Sequence, residues 1–115
     1  MKLTEHFTLE EMLHSETAEK LKIENRINVE EVNNLVRLCT KVLEPLRAHF
    51  GTAIHINSGF RCKKLNEAVK GAANSYHLKG RAVDIPMRPG WLAYIRDHLP
   101  HVELINEGTW IHIAL

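Results

Sequence analysis

Residues 74–85 read NSYHLKGRAVDI, and this stretch decides the fold. Its second half has the apolar residues of a strand that enters a core, but Asp84 lies among them. A carboxylate in that position is costly unless a positive group meets it. His77 precedes it by seven residues, and Gly80 between the two lets the backbone turn tightly. The sequence therefore predicts a turn, a strand and a charged partner for Asp84.

Helix signals fill the chain before this stretch. Thr8 precedes Glu11 by three residues, which is the spacing of a capping box, and Ser15 can cap a second short helix that ends at Leu21. Residues 28–51 are the longest segment with apolar residues at three- and four-residue steps. We expect one helix there, with a buried face, a kink near its proline and an end at its glycine.

The hydrophobic period changes from helical to strand-like after this helix. Residues 53–57 (AIHIN) and 81–86 (RAVDIP) are predicted strands, residues 62–70 and 89–99 are predicted short helices, and residues 102–115 close the chain as a hairpin. Helices come first, and strands with antiparallel pairing come later. This order predicts a single α+β domain over residues 1–115, with N-terminal helices packed on a small, mostly antiparallel sheet.

Charge and cysteine content exclude several classes of protein. The 115 residues carry 15 Lys plus Arg against 14 Asp plus Glu, a net charge of +1 with no block of like charge. We therefore expect no binding of nucleic acid or membranes, and we expect a monomer. Cys39 and Cys62 lie far apart and outside any C-x-x-C spacing, which favours free thiols over a disulfide or a cysteine-ligated zinc.

The N-terminal segment has no pattern typical of export. Residues 1–13 (MKLTEHFTLEEML) are interrupted by charges and contain no apolar signal region or cleavage site. No later run approaches the length of a membrane span. We expect the protein to be cytoplasmic as synthesised, so that a role outside the cell needs phage-mediated release or association with a virion.

Two of the eight histidines differ from the rest by their context. His77 follows a loop of small and polar residues, and His112 lies in the final predicted strand with Trp110 on the same side of the pleat. A loop and two strands can bring both imidazoles to the carboxylate of Asp84. Three protein ligands with a fourth position left for water make an open zinc site, and Zn²⁺ would supply the charge that Asp84 needs.

Three motifs together resemble a known family. They are S-x-H-x-x-G-x-A-x-D at residues 75–84, W-x-H at residues 110–112 and S-G-F-R at residues 58–61. The chain resembles the D-alanyl-D-alanine carboxypeptidase family of zinc peptidases, which also contains phage L-alanyl-D-glutamate endolysins. The likeness extends over residues 4–115 and is closest to the short members found in phage and prophage genes. The hedgehog signalling domain has a related zinc-bearing fold.

The resemblance implies a role for each matching residue. His77, Asp84 and His112 would be the zinc ligands, and zinc would activate a water molecule and polarise the scissile carbonyl. Arg61 matches the family arginine that faces the substrate, where its guanidinium suits a peptide carboxylate or carbonyl. Ser75 would hydrogen-bond the substrate, or it would orient His77.

The general base departs from the better-known pattern. Many enzymes of the family carry an acidic residue three positions before the last histidine, where this chain has Thr109. Glu107 resembles the glutamate of an L-I-x-E segment in the short phage-type relatives and is the first candidate. Glu103 is the second, because a two-residue turn at residues 107–108 would place it directly opposite His112. Another register would remove Glu103 from this position.

The resemblance thus implies a zinc peptidase that hydrolyses the stem peptides of bacterial peptidoglycan, next to a D-configured residue. The cleavage would be of the D,D-carboxypeptidase or the L,D-endopeptidase type. One alternative is a zinc-stabilised module of a phage tail or a wall-binding protein that hydrolyses nothing, which Thr109 favours. Another is an α+β binding domain without metal, which leaves Asp84 unexplained.

Overall fold

Helices occupy most of the N-terminal half in the computed structural model, which describes residues 1–115. The α-helices are α1 (Leu9–Leu13), α2 (Glu16–Leu21), α3 (Val29–Leu38), α4 (Glu44–Phe50), α5 (Lys63–Ala68) and α6 (Trp91–His98). A π-helical turn, Cys39–Leu43, joins α3 to α4, and Tyr76–Lys79 form a 3-10 helix. No helix of the structure has both the length and the apolar character that crossing a membrane requires.

Five strands form two antiparallel sheets. The strands are β1 (Lys2–Thr4), β2 (Phe7–Thr8), β3 (Ala82–Pro86), β4 (Glu103–Asn106) and β5 (Trp110–Ala114). β1 and β2 form a small hairpin, while the main sheet has the order β3-β5-β4. This architecture confirms the predicted α+β class.

The predicted helix caps are present. The Thr8 side chain accepts a hydrogen bond from the Glu11 N–H, and the Glu11 carboxylate accepts one from the Thr8 N–H, which completes the capping box of α1. The Ser15 hydroxyl accepts from the Ala18 N–H and so begins α2. These short helices therefore begin where their sequence signals place them.

The long helical segment contains an irregular turn where a kink was predicted. It begins after Asn28 and ends at Gly51, whose φ of 63° is in the left-handed region. Pro45 lies just after the π turn, in which the Glu44 N–H bonds to the Cys39 carbonyl. A proline cannot donate to the carbonyl four residues earlier, and the wider turn lies where that bond is missing.

The helices and the main sheet share one core of 19 buried residues. Leu35 and Leu38 contribute to it from α3, and Ile111 and Ile113 contribute from β5. Side chains alternate along a strand, so His112, which lies between these two isoleucines, projects from the opposite face of the sheet. The main sheet therefore has a core face and a second face that is free to carry a site.

The predicted strand at residues 53–57 was wrong as a strand, although its alternation was right. Ile54 and Ile56 are buried, but this segment joins the sheet by a single bridge between Ser58 and Asp84. The chain then turns away from the sheet, because the Phe60 N–H donates to the Met12 carbonyl of α1 at 2.9 Å. Of this stretch, only Asn57 and Ser58 hydrogen-bond to β3, and both do so through the backbone of Asp84.

The predicted register of the C-terminal hairpin was also wrong. The two-residue turn is Gly108-Thr109, closed by the Glu107 N–H donating to the Trp110 carbonyl at 3.0 Å. Gly108 has a φ of 89° and takes the first turn position, which favours glycine. Asn106 consequently pairs with Ile111, and the expected pairing of Asn106 with Thr109 does not form. Because the turn lies one residue later than predicted, each residue of β4 pairs with a residue two positions further along the chain.

We expect the Asn28→Ala variant to lower the free energy of unfolding by about 1 kcal/mol, because α3 loses its capping box. The Asn28 Oδ1 accepts from the Glu31 N–H at 2.8 Å, and the Glu31 carboxylate accepts from the Asn28 N–H at 3.1 Å. Urea unfolding measures the loss. The matched control is Asn33→Ala, an exposed position within α3, and equal losses in the two variants would contradict the capping role.

Candidate metal centre

Three side chains meet on the face of the main sheet that points away from the core. Asp84 of β3 and His112 of β5 are directly paired across the strands, and His77 reaches them from the 3-10 helix. The Asp84 Oδ1 lies 3.0 Å from the His112 Nδ1 and 3.3 Å from the His77 Nε2. The ligand atoms of the three residues all lie within 4.8 Å of one another. The structure thus brings together the three ligands that the sequence predicts.

Gly80 makes the turn that places His77 and Asp84 side by side. It ends the 3-10 helix with a φ of 69°, a conformation that side chains rarely adopt. A Cβ atom at this position would also lie 2.4 Å from the Glu31 carbonyl of α3. The glycine therefore allows both the turn into β3 and the close approach of the site to α3.

A second glycine fixes the orientation of the His77 ring. The Gly59 carbonyl accepts a hydrogen bond of 2.6 Å from the His77 Nδ1, and the Arg61 N–H donates to the His77 carbonyl at 3.1 Å. A Cβ atom on Gly59 would lie 2.6 Å from the Met12 carbonyl, so only glycine fits here. This role of Gly59 was not predicted from the sequence, although the S-G-F-R motif at residues 58–61 contains the glycine.

The ring of His112 is held from its other side by a carboxylate. Its Nε2 lies 2.8 Å from the Glu103 Oε1. Glu103 is opposite Ala114 and not opposite His112, whose direct partner on β4 is Ile105. Residues two apart on a strand share a face, so Glu103 reaches His112 along the diagonal. The predicted contact exists, although the predicted direct pairing does not.

The protons on the two rings indicate that the site fits a cation. A carbonyl and a carboxylate can only accept, so His77 carries a proton on Nδ1 and His112 carries one on Nε2. In a neutral ring the other nitrogen carries a lone pair. This nitrogen is Nε2 in His77 and Nδ1 in His112, and both face the Asp84 oxygen. Either two further protons or one divalent cation would relieve this repulsion. Two imidazole nitrogens and a carboxylate form a ligand set typical of zinc.

The electrostatics of the site follow from the same contacts. Burial acts to raise the pKa of Asp84, but hydrogen bonds from His112 and His77 outweigh it and lower the pKa to about 2. The hydrogen bond to Asp84 raises the pKa of His112 above 6.5, against the effect of its burial, and Glu103 adds to the rise. Asp84 is thus ionised at neutral pH, as a carboxylate must be to bind a metal.

The ligands open onto a cavity of about 680 Å³ that is lined by Arg61, Ser75, Glu103, Glu107 and Trp110 as well as by the three ligands. Arg61 is half-buried there, and burial lowers its pKa, while the charge of Asp84 raises it. The Arg61 Nε is buried and has no hydrogen-bond partner within the chain. Arg61 thus contributes a guanidinium to the lining of the cavity, and this group suits an anionic or carbonyl group.

The remaining predicted residues have different surroundings. The Ser75 hydroxyl accepts from the His77 N–H at 3.2 Å and so caps the 3-10 helix that carries His77. Glu107 lies exposed at the tip of the hairpin, where its carboxylate makes no hydrogen bond or ion pair within the chain. Thr109 is in the turn and does not line the cavity. Glu107 is thus the acidic residue of the hairpin tip that lines the cavity.

A model of the family described as Peptidase M15 matches residues 5–114 of this sequence. The chain belongs to the peptidase M15 family. This confirms the family to which the three motifs pointed, whereas the likeness to its short phage members stays a prediction. No curated protein matches the sequence. The M15 match covers both the metal centre and the N-terminal helices that pack behind it.

We expect the metal affinity of this M15 protein to fall as the pH falls, because a metal must displace the proton of His112. The raised pKa of His112 means that this competition begins above pH 6.5, the ordinary value for histidine. Competition against a chelator with pH-independent affinity would measure the change. An affinity that is constant between neutral and mildly acidic pH would contradict the assignment of His112 as a ligand.

Proposed function

We propose that the protein is a zinc peptidase that hydrolyses the stem peptides of bacterial peptidoglycan. One observation supports this most directly: the cavity of an M15 family member contains three metal ligands, an unpaired arginine donor and a free glutamate. A site that only stabilised the fold would need the ligands alone. The additional groups are those that bind a peptide and move a proton.

Each side chain has a distinct task in this proposal. His77, Asp84 and His112 would hold the ion, which when bound would supply the Lewis acidity that makes water a better nucleophile and polarises a peptide carbonyl. Glu107 takes a proton from the attacking water and returns it to the leaving amine. The water oxygen forms the new bond to the carbonyl carbon as the C–N bond breaks. Arg61 donates to a carboxylate or carbonyl of the peptide and orients it.

The substrate follows from the family resemblance and from the polar character of the cavity. Peptidoglycan stem peptides carry carboxylates that Arg61 would bind, and their D-configured residues are the ones next to which the family cleaves. Carboxypeptidase and endopeptidase cleavage both fit an open cavity, so the assay uses substrates of both types. Zinc-loaded protein is incubated with peptidoglycan, and mass spectrometry identifies the released fragments. New amine and carboxyl ends next to a D-residue are the expected result.

A second candidate function is a zinc-stabilised module that hydrolyses nothing. Thr109 supports it, because this position carries the acidic base in many relatives of the family and a threonine cannot accept a proton at neutral pH. Zinc would then only hold the 3-10 helix to the sheet. Stoichiometric zinc without cleavage of any carboxypeptidase or endopeptidase substrate would favour this second function.

The Glu107→Gln variant tests whether Glu107 is the general base. An amide keeps the shape and polarity of the side chain but removes its basicity, and a general base contributes about 10²- to 10⁴-fold to the rate. We expect this loss in kcat with zinc content unchanged. The control is Glu67→Gln, an exposed glutamate on α5 outside the cavity. Wild-type activity in the Glu107 variant would remove the role of base from this residue.

The Arg61→Lys variant tests how the substrate is oriented. Lysine keeps the charge but loses the planar pair of N–H donors. We expect kcat/KM to fall about tenfold or more, as for the loss of a charged hydrogen bond, while zinc occupancy stays the same. Arg88→Lys is the control, since Arg88 is exposed and outside the cavity. Equal kcat/KM values for the Arg61 variant and the wild type would make Arg61 a structural residue.

A further inference from the structure

Glu103 contacts a metal ligand and is therefore placed for a task other than proton transfer. Its Oε1 lies 2.8 Å from the His112 Nε2, the ring nitrogen on the far side of the ring from Asp84. This carboxylate is thus engaged by the ring N–H. Glu107 has no such engagement, which leaves the two glutamates of the cavity with different surroundings.

The hairpin register places these two glutamates on either side of Ile105. Residues 103, 105 and 107 share one face of the hairpin, and Ile105 is directly opposite His112. Glu107 is paired with Trp110 at the tip, and Glu103 is paired with Ala114 at the base. Glu107 therefore lies toward the tip from His112 and Glu103 lies toward the base, and only Glu103 contacts the ring.

Opposite nitrogens of the two histidines must face the metal. His77 presents Nε2, because the Gly59 carbonyl holds its Nδ1–H. His112 presents Nδ1, and Glu103 holds its Nε2–H. A backbone carbonyl thus accepts the N–H of the His77 ring, and a side-chain carboxylate accepts the N–H of the His112 ring. Without an acceptor at Nε2, the His112 ring would be free to carry its proton on Nδ1, which cannot then bind a metal.

We propose that Glu103 is a positioning residue that fixes the tautomer and the orientation of His112, so that the His112 Nδ1 faces the metal. This inference rests on the metal site of the proposed function, but it does not depend on peptide hydrolysis. A carboxylate that accepts the second N–H of a metal-bound imidazole also makes the imidazole a more basic ligand. Loss of such a partner lowers metal affinity by about 10- to 100-fold.

The experiment measures zinc affinity by competition with a chelator in the wild type and three variants. Glu103→Ala removes the acceptor, and we expect the 10- to 100-fold loss typical of such partners. Glu103→Gln keeps an oxygen acceptor at the same reach, so its affinity is expected to recover most of this loss. Glu107→Ala is the matched control, because it removes one negative charge from the same cavity without contacting a ligand ring.

Each outcome decides the proposal. An affinity of Glu103→Ala equal to that of the wild type overturns it. Equal losses in Glu103→Ala and Glu107→Ala also overturn it, because the effect would then come from charge and not from the contact with His112. A loss in Glu103→Ala that Glu103→Gln largely restores supports positioning through the hydrogen bond.

NMR of the zinc-loaded protein gives a second readout that does not require activity. We expect a ring N–H signal of His112 that is assigned to Nε2 and protected from solvent exchange, present in the wild type and in Glu103→Gln. The protection should disappear in Glu103→Ala. A proton found on Nδ1 of His112 in the zinc-loaded wild type overturns the proposal. A protein that passes both tests yet cleaves no peptide would refute the proposed function and leave this inference intact.

Discussion

The half-buried carboxylate of Asp84 is the constraint on which the rest of the structure depends. Its neighbours Val83 and Ile85 are fully buried in the core, so a shift of β3 by one residue would put the charge into the core and both apolar side chains outside it. The backbone of Asp84 is also held on its outer edge, where its N–H donates to the Ser58 carbonyl at 2.8 Å. With the strand fixed in this way, the Asp84 carboxylate lies on the open face of the sheet, where the rings of His77 and His112 contact it.

The N-terminal helices contribute no metal ligand, yet they set the position of His77. Gly59 packs against the Met12 carbonyl of α1, and Gly80 packs against the Glu31 carbonyl of α3. These two close approaches lie on either side of the His77 ring and its loop. The helical half of the chain therefore packs against the two glycines that position His77. The metal centre depends on these helices as well as on the sheet.

Sequence patterns predicted the helix caps, most elements and the closeness of His77 to Asp84 because those features are local. Capping boxes, the strand around Asp84 and the spacing of His77 to Asp84 are all encoded within a few residues. The features that failed depend on contacts between distant segments or on one turn residue. Residues 53–57 alternate like a strand, but only Asn57 among them hydrogen-bonds to β3, and alternation alone does not show whether a neighbouring strand lies within reach. The hairpin register depended on whether Gly108 takes the first or the second turn position, and periodicity carries no information on that choice.

The residues that could bind a metal and the glutamate proposed as the base lie on different parts of the structure. The three candidate ligands and Glu103 lie on strands and on a 3-10 helix. Glu107 lies next to a two-residue turn whose residues are exposed. Substitutions near the turn can therefore add, move or remove an acid without disturbing the three residues that could hold a metal. Under the proposed function, such a scaffold would gain or lose turnover through changes in a few exposed residues while its fold stays the same.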